Sequence, residues 1–151
     1  MSPARTDTLA FESLSVGDAL PELVLPLSRT FIVATAIASR DYQDVHHDPG
    51  LAVDRGSEDI FMNILTTNGL VGRFVTDWSG PGARIESVSI RLGAPNYPGD
   101  TMTLTGSVAA LDPDGDGRGT VDVAVRGANS RGDHVTGTVR VSLPRRGAGA
   151  S

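Results

Sequence analysis

Residues 60–78, IFMNILTTNGLVGRFVTDW, are the strongest indication of the fold, because a helix over this segment would be apolar on almost every side. A helix that is hydrophobic all round is a buried one. Residues 79–82, SGPG, follow as a firm stop signal. We therefore predict one long buried helix, whose packing residues are Ile64, Leu65, Leu70, Val71, Phe74, Val75 and Trp78.

The sequence after this helix predicts four long strands. Residues 83–92, 101–111, 119–128 and 133–143 each alternate apolar and polar side chains with a period of two. The alternation slips near Ser87. The joining segments, DPDGDGR and NSRG, are rich in the residues of hairpin loops. We expect an antiparallel meander.

Shorter helices precede the buried one. Residues 30–40, TFIVATAIASR, have helix-compatible apolar spacing. Asp48 followed by Pro49 predicts a second helix start, because the carboxylate can cap free N–H groups and proline suits the first helical position. This helix is expected to run to about Arg55 and to stop at Gly56.

The order of an early strand, helices and then a meander is that of a hotdog domain. We predict an α+β fold in which a curved antiparallel sheet wraps a central buried helix. One such domain is expected over residues 11–143, with flexible tails at 1–10 and 144–151, which have too little apolar surface to offset their ordering entropy. A hotdog sheet usually pairs with a second hotdog, so we expect a dimer or pseudo-dimer.

The composition argues against several classes of function. The chain has no cysteine, so a disulfide framework, a thiolate metal site and a cysteine nucleophile are excluded. A net charge of -5 argues against a general nucleic-acid binder. No apolar run reaches the roughly 18 residues that cross a bilayer, and the first ten residues lack the apolar centre of a secretory signal. We expect a cytoplasmic protein.

The densest group of titratable side chains lies in residues 40–48, RDYQDVHHD, between two predicted helices. Adding water to an alkene conjugated to a thioester needs a base for the water, an acid for the α-carbon and donors for the enolate oxygen. A carboxylate and an imidazole on one short loop can contact the same water. This loop therefore has the groups that hydration requires.

The loop resembles the hydratase motif of the MaoC-like, R-specific enoyl-CoA hydratases, Gly-Asp-x-Asn-Pro-x-His-x-Asp. Asp41 and His46 fall on its two catalytic positions, and Asp48 falls on its final aspartate. The resemblance extends into residues 92–100, LGAPNYPGD, and covers roughly residues 15–143. It implies an enoyl-CoA hydratase (a hydro-lyase) without metal or cofactor, since CoA is part of the substrate.

The chain also departs from the family pattern. Arg40, Gln43 and Asp44 replace the glycine, asparagine and proline of the motif, and Met62-Asn63 replaces the His-Gly pair that opens the central helix. In the family the N–H of that glycine contributes to the oxyanion hole. The resemblance thus implies the backbone N–H of Asn63 as the donor, at a helix N-terminus whose macrodipole favours an enolate.

With these departures the chain closely resembles the small MaoC-type subunit of the actinobacterial two-subunit enoyl-CoA hydratase of steroid side-chain breakdown. This implies a steroid side-chain enoyl-CoA as substrate, in cholesterol or sterol catabolism. It also implies a second MaoC-like subunit in a heterodimer or heterotetramer. That partner is often fused to a zinc-ribbon/OB-type domain found beside thiolases and lipid-transfer-like aldolases.

Other functions remain open at this stage. A (3R)-hydroxyacyl-carrier-protein dehydratase of fatty-acid synthesis would use the same residues in reverse. A non-catalytic hotdog subunit would only bind an acyl chain or complete a partner's sheet, but the intact pair of Asp41 and His46 argues against it. A self-sufficient homodimer is the alternative to the heteromer.

The remaining polar residues are interpreted as structural. His134 stands alone at a strand start and is predicted to lie on the surface. Residues 112–117 imitate the start of a calcium loop, but position twelve is Val123 and strands flank the segment, so we expect a hairpin turn. Two of the three histidines are adjacent, which argues against a catalytic zinc site.

The candidates for holding CoA phosphates are Arg73, Arg84, Arg91, Arg126 and Arg131.

Overall fold

The computed structural model describes residues 4–113 and 117–146 of the 151-residue chain. None of the helices in this part of the chain is long and apolar enough to cross a membrane. In chain order the elements are β1 Leu23–Pro26, α1 Arg29–Ala38, α2 Pro49–Asp54, α3 Ile64–Ser79, β2 Arg84–Leu92, β3 Thr101–Asp112, β4 Arg118–Asn129 and β5 Gly132–Pro144, with 3-10 turns at Phe11–Ser13 and Asp44–His46.

The five strands form one antiparallel sheet in the order β1-β3-β4-β5-β2. The predicted α+β architecture is confirmed, and β3, β4 and β5 form the expected meander. The expectation that all four strands after the helix form one meander is wrong, because β2 pairs with β5 at the far edge of the sheet and not with β3. Between β2 and β5 the register shifts between Ile85 and Ser87, where the sequence predicted a slip. The apolar faces of β3, β4 and β5 and the buried face of α3 together form the hydrophobic core.

Helix α3 packs on the sheet, with Phe74 over Gly106 of β3. A Cβ at Gly106 would lie 3.0 Å from the Phe74 ring, so glycine leaves room for the aromatic. The helix begins four residues later than predicted because the Asn63 side chain caps it. Its first turn is buried on one side only, since Thr66 and Thr67 are buried while Ile64 and Leu65 are 53% and 51% exposed. The prediction of burial on almost every side is wrong at this end of the helix.

The predicted start and stop signals of the short helix are confirmed. Asp48 accepts a hydrogen bond from the Leu51 N–H at 3.0 Å, and Pro49 is the first residue of α2. Gly56, with φ +91°, takes the left-handed conformation just after this helix. These signals are local, and the surrounding fold does not override them.

Both ends of the described chain make defined contacts. The Leu9 N–H donates to the Ser79 carbonyl at 2.9 Å, which ties the N-terminal segment to the end of α3. Arg145, just after β5, pairs with Glu12 at 3.0 Å. The packed region thus extends beyond both expected boundaries. The remaining parts of the two predicted tails, residues 1–3 and 147–151, lie outside the described residues.

Candidate active site

Asp41 and His46 face each other across the loop between α1 and α2. His46 Nε2 lies 3.3 Å from Asp41 Oδ2, and the two side chains are only 7% and 16% exposed. The structure therefore brings the carboxylate and the imidazole of this loop together. The two groups form a pair that one water molecule can contact.

The end of α1 aims Asp41 into the site. The Arg40 N–H donates to the Ile37 carbonyl at 2.9 Å, and the Asp41 N–H donates to the Ala36 carbonyl at 3.0 Å. This is the Schellman pattern of a helix C-terminus, which requires one residue in the left-handed conformation. Arg40 is that residue, with φ +57°, in the place of the glycine in the family motif.

The hydrogen bond of His46 to the neighbouring backbone assigns its proton. Nδ1 lies 2.7 Å from the Phe61 carbonyl oxygen, which can only accept, so Nδ1 carries the hydrogen. The Phe61 ring also packs edge-on against the imidazole at 5.0 Å. In the neutral ring Nε2 is therefore the free acceptor, and it faces Asp41.

The side chain of Asn63 joins Asp41 to the start of α3. Its Nδ2 donates to Asp41 Oδ2 at 3.0 Å and to Ser39 Oγ at 2.9 Å. Its Oδ1 accepts from the backbone N–H and the hydroxyl of Thr66. All four hydrogen-bonding positions of the amide are used. The bond from Asn63 is the main reason that the pKa of Asp41 is lowered from its ordinary value, so the group is a carboxylate.

The backbone N–H of Asn63 has no acceptor among the described residues, 4–113 and 117–146. It belongs to the N-cap of α3, where the first N–H groups of a helix lack partners within the helix. Asn63 and Ile64 both line the cavity that holds Asp41 and His46. The donor expected from the sequence is thus positioned beside the pair.

The cavity has a volume of about 340 Å³. Its lining includes the polar groups of Asp41 and His46 and the apolar side chains of Phe61, Leu92 and Pro95. Ligand pockets for whole small molecules span roughly 300–1,000 Å³, so this one is at the small end. It has room for the reacting end of an acyl thioester rather than for all of a polycyclic acyl-CoA.

His134 is a residue of the site that the sequence reading missed. The prediction of a surface position is wrong: His134 is 2% exposed and lines the same cavity. Strand β5 has a bulge here, because Gly127 pairs with Val135 and Ala128 pairs with Asp133, which leaves His134 as the extra residue. A bulge re-aims a side chain. His134 and Val135 are consequently both buried, against the period-two alternation.

Among the other loop residues, Asp44 stabilises the loop by accepting a hydrogen bond from Arg55 at 2.6 Å. Tyr42 and His47 are exposed. Within the described residues no group of three or more His, Cys, Asp or Glu side chains could hold a metal ion. Two aspartates of the segment that imitates a calcium loop, Asp114 and Asp116, lie outside the described residues, between strands β3 and β4.

Three of the five arginines named for CoA phosphates are bound to carboxylates on the surface. Arg73 pairs with Asp77, and Arg126 and Arg131 pair with Asp133 and Glu58. For the other two, no carboxylate partner is found in the part of the chain that the structure describes. These two are Arg84 and Arg91, both on the edge strand β2.

Comparisons with known proteins show which sequences and folds this chain resembles. No protein-family model matches the chain. The chain is 55% identical over 128 residues to the 3-oxo-4,17-pregnadiene-20-carboxyl-CoA hydratase beta subunit of Mycobacterium tuberculosis, a match that covers 85% of this chain and 95% of that protein. The crystal structure of the ChsH1-ChsH2 complex from the same organism matches with a TM-score of 0.79 and 55% identity, over 85% of this chain and 98% of that one.

A more distant structure extends the likeness. The MaoC-like dehydratase from Rhodospirillum rubrum is 25% identical, with a TM-score of 0.78, and the match covers 91% of this chain and 98% of that chain. High coverage on both sides means that one hotdog unit is compared with another. The pair of Asp41 and His46 thus lies in a fold that is shared along almost its whole length.

Proposed function

The chain belongs to the family of MaoC-like enoyl-CoA hydratases, and we propose that it is the catalytic subunit of one that acts on a steroid side-chain enoyl-CoA. The observation that carries the proposal is the pair of Asp41 and His46, 3.3 Å apart in a cavity at the N-terminus of α3. The relative at 55% identity is named for hydration of a pregnadiene carboxyl-CoA. That name supports the choice of acyl group.

The proposed reaction begins with a water molecule that donates to both members of the pair. His46 Nε2 takes one proton because Nδ1 is bound to the Phe61 carbonyl. Asp41 accepts a hydrogen bond from the second O–H, which stays intact, and orients the water oxygen towards the β-carbon. A new C–O bond forms there while the π electrons of the alkene move towards the thioester. The proton on Nε2 then passes to the α-carbon, so the imidazole ends neutral and the product contains all of the water.

The negative charge that develops on the thioester oxygen needs a donor. We propose the backbone N–H of Asn63, which has no acceptor within the described chain and lies at the positive end of α3. One such donor typically contributes about 10²–10³ in turnover. A bound-substrate structure with the thioester oxygen far from this N–H would contradict the assignment.

No cofactor enters this proposal. The two proton transfers need only an imidazole and a carboxylate, and CoA is part of the substrate. We propose the cytoplasm as the location of the protein. The reverse reaction on a carrier-protein thioester would use the same groups, so substrate preference has to be measured directly.

We also propose that a second, non-identical MaoC-like chain completes the acyl pocket. The cavity of about 340 Å³ is too small for a polycyclic acyl-CoA. Ile64 and Leu92, which line the cavity, and Leu65, which follows Ile64 in α3, are 38–53% exposed apolar residues that suit an interface. The 55% identical relative is a beta subunit, and its solved counterpart is a two-chain complex. A zinc-ribbon/OB-type domain on the partner and an associated thiolase or lipid-transfer-like aldolase are the finer parts of this proposal.

The test is a hydration assay on the chain produced with and without a large MaoC-like subunit. The substrates are the pregnadiene carboxyl-CoA of the relative, a short straight-chain enoyl-CoA and an enoyl-acyl-carrier-protein. We expect the steroid thioester to be hydrated fastest, and only by the two-chain assembly. Preference for the carrier-protein thioester would favour the dehydratase, and no turnover of any thioester would favour the non-catalytic subunit.

A further inference from the structure

The proposed reaction leaves one buried titratable group of the cavity without a role, namely His134. Its Nδ1 lies 2.7 Å from the Ala94 carbonyl oxygen, so Nδ1 carries the hydrogen. Its Nε2 lies 2.8 Å from Thr67 Oγ1. Burial lowers the pKa of His134, which keeps the ring neutral and leaves Nε2 as an acceptor. The Thr67 hydroxyl must therefore donate to it.

These two hydrogen bonds join helix α3 to the segment that follows β2. Ala94 belongs to that segment and lines the cavity together with Gly93 and Pro95. Thr67 lies in α3 one turn after Asn63, and its N–H donates to the Asn63 carbonyl at 3.2 Å. A single imidazole thus connects the segment after β2 to the helix turn that presents the proposed enolate donor.

The arrangement is specific in its geometry. The bulge in β5 turns His134 inward, and the Gly93 N–H binds the His134 carbonyl at 2.8 Å. A Cβ at Gly93 would lie only 2.3 Å from the Asp133 carbonyl oxygen, so this segment lies directly against the bulge. Thr67 is completely buried, and no buried side-chain N or O atom in the described residues lacks a hydrogen-bond partner. The polar link is therefore complete although it runs through the core.

We propose that His134, with Thr67, is a positioning residue for hydration. It sets the distance between the segment at Ala94 and the first turn of α3, and so aligns the thioester oxygen with the Asn63 N–H. This inference rests on the proposed function. A small displacement of a reacting group lowers the turnover rate strongly. Removing the hydrogen bond between Thr67 and His134 is therefore expected to lower kcat more than it weakens substrate binding.

Thr67→Val is the sharpest test because it keeps the shape of the side chain and removes only the hydroxyl. In the active assembly we expect kcat to fall roughly tenfold with KM changed less than about twofold. Thr67→Ser keeps the donor and retains most of the activity. Thr76→Val is the matched control, since it makes the same change nine residues further along α3, where the hydroxyl donates to the Arg73 carbonyl.

Two further readouts separate positioning from mere stability. When a chromophoric dienoyl-CoA is bound, polarisation of its thioester moves its absorption maximum to longer wavelength. We expect this red shift to be smaller in Thr67→Val and unchanged in Thr67→Ser. His134→Asn keeps a donor near Ala94 but cannot reach Thr67, so its effect and that of Thr67→Val are expected not to add.

Two results would overturn the inference while the wild type is active. One is a lowered Tm with unchanged kcat, KM and red shift in Thr67→Val. The other is full additivity of Thr67→Val and His134→Asn. An inactive wild-type assembly is a different result, since it removes the proposed function itself.

Discussion

The Nδ2 amide of Asn63 lies 3.0 Å from Asp41 Oδ2, so the residue that caps the buried helix also holds the carboxylate of the proposed catalytic pair. The family motif has glycine at this position, which has no side chain to offer. Here one residue combines two features: its side chain anchors Asp41, and its backbone N–H, proposed as the enolate donor, has no acceptor within the described chain. The start of α3 and the loop after α1 are thereby fixed relative to each other.

Replacing Asn63 by alanine is expected to move the acidic limb of the pH–rate profile to higher pH. The hydrogen bond from Asn63 lowers the pKa of Asp41, while burial acts in the opposite direction. Asp41 is protonated as the pH falls through this pKa. A higher pKa therefore raises the lower limit of the pH range in which the enzyme is active. Measuring kcat/KM against pH checks this.

A matched control for this variant is Ser28→Ala, which removes the N-cap of α1. Each cap deletion is expected to lower the free energy of unfolding by about 1 kcal/mol. Only the Asn63 variant should shift the profile. Equal profiles for both variants would mean that Asn63 is a helix cap and nothing more.

Asp41→Asn and His46→Ala are each expected to lower kcat by at least ~10²-fold without unfolding the chain. The physical reason is the loss of the group that orients the water or of the group that carries its proton. Circular dichroism and turnover on the purified assembly measure the two effects. Asp54→Asn and His47→Ala are suitable controls because both residues are exposed. Near-normal turnover in either site variant would refute its catalytic assignment.

Arg40→Gly is expected to raise the free energy of unfolding by up to about 1 kcal/mol, since glycine adopts φ +57° without the steric cost that other residues have. The flexibility of glycine in the unfolded chain offsets part of the gain. Urea unfolding measures the change. Arg40→Ala removes the guanidinium but keeps the Cβ, so it should gain nothing; an equal gain in both would assign the effect to charge instead of backbone strain.

Leu65→Asp is expected to weaken assembly with the partner at least about tenfold, because it places a charge on the exposed apolar surface of the first turn of α3. Leu65 is already half exposed, so the isolated chain should keep its Tm. Val16→Asp is the control, since Val16 is exposed beside the middle of β3, away from the cavity. Analytical ultracentrifugation of the mixed subunits gives the affinities.

The isolated chain is expected to be weakly active or inactive on steroid thioesters, since its own cavity cannot enclose a polycyclic acyl group. Size-exclusion chromatography and hydration assays on the chain alone check this. A stable homodimer with full activity would show that one type of subunit is sufficient.

The sequence by itself determined those features whose causes lie within a few residues. The alternation in β2 to β5, the cap at Asp48 and the five-residue spacing of Asp41 and His46 are local patterns, and the structure has them where they were predicted. Short-range geometry follows from backbone sterics and hydrogen bonding, which do not depend on the rest of the fold.

The assembly of the site depends on contacts between residues that lie far apart in the sequence, and these are visible only in the tertiary structure. Asn63 reaches Asp41 across 22 residues of chain, and His134 reaches Thr67 across 67. Both contacts depend on how α3 lies on the sheet, and the second also depends on one bulge in β5. The sequence predicted a surface position for His134 because it stands alone at a strand start. The bulge and the packing of α3 against β5 bury this side chain and turn it into the link between α3 and the segment after β2.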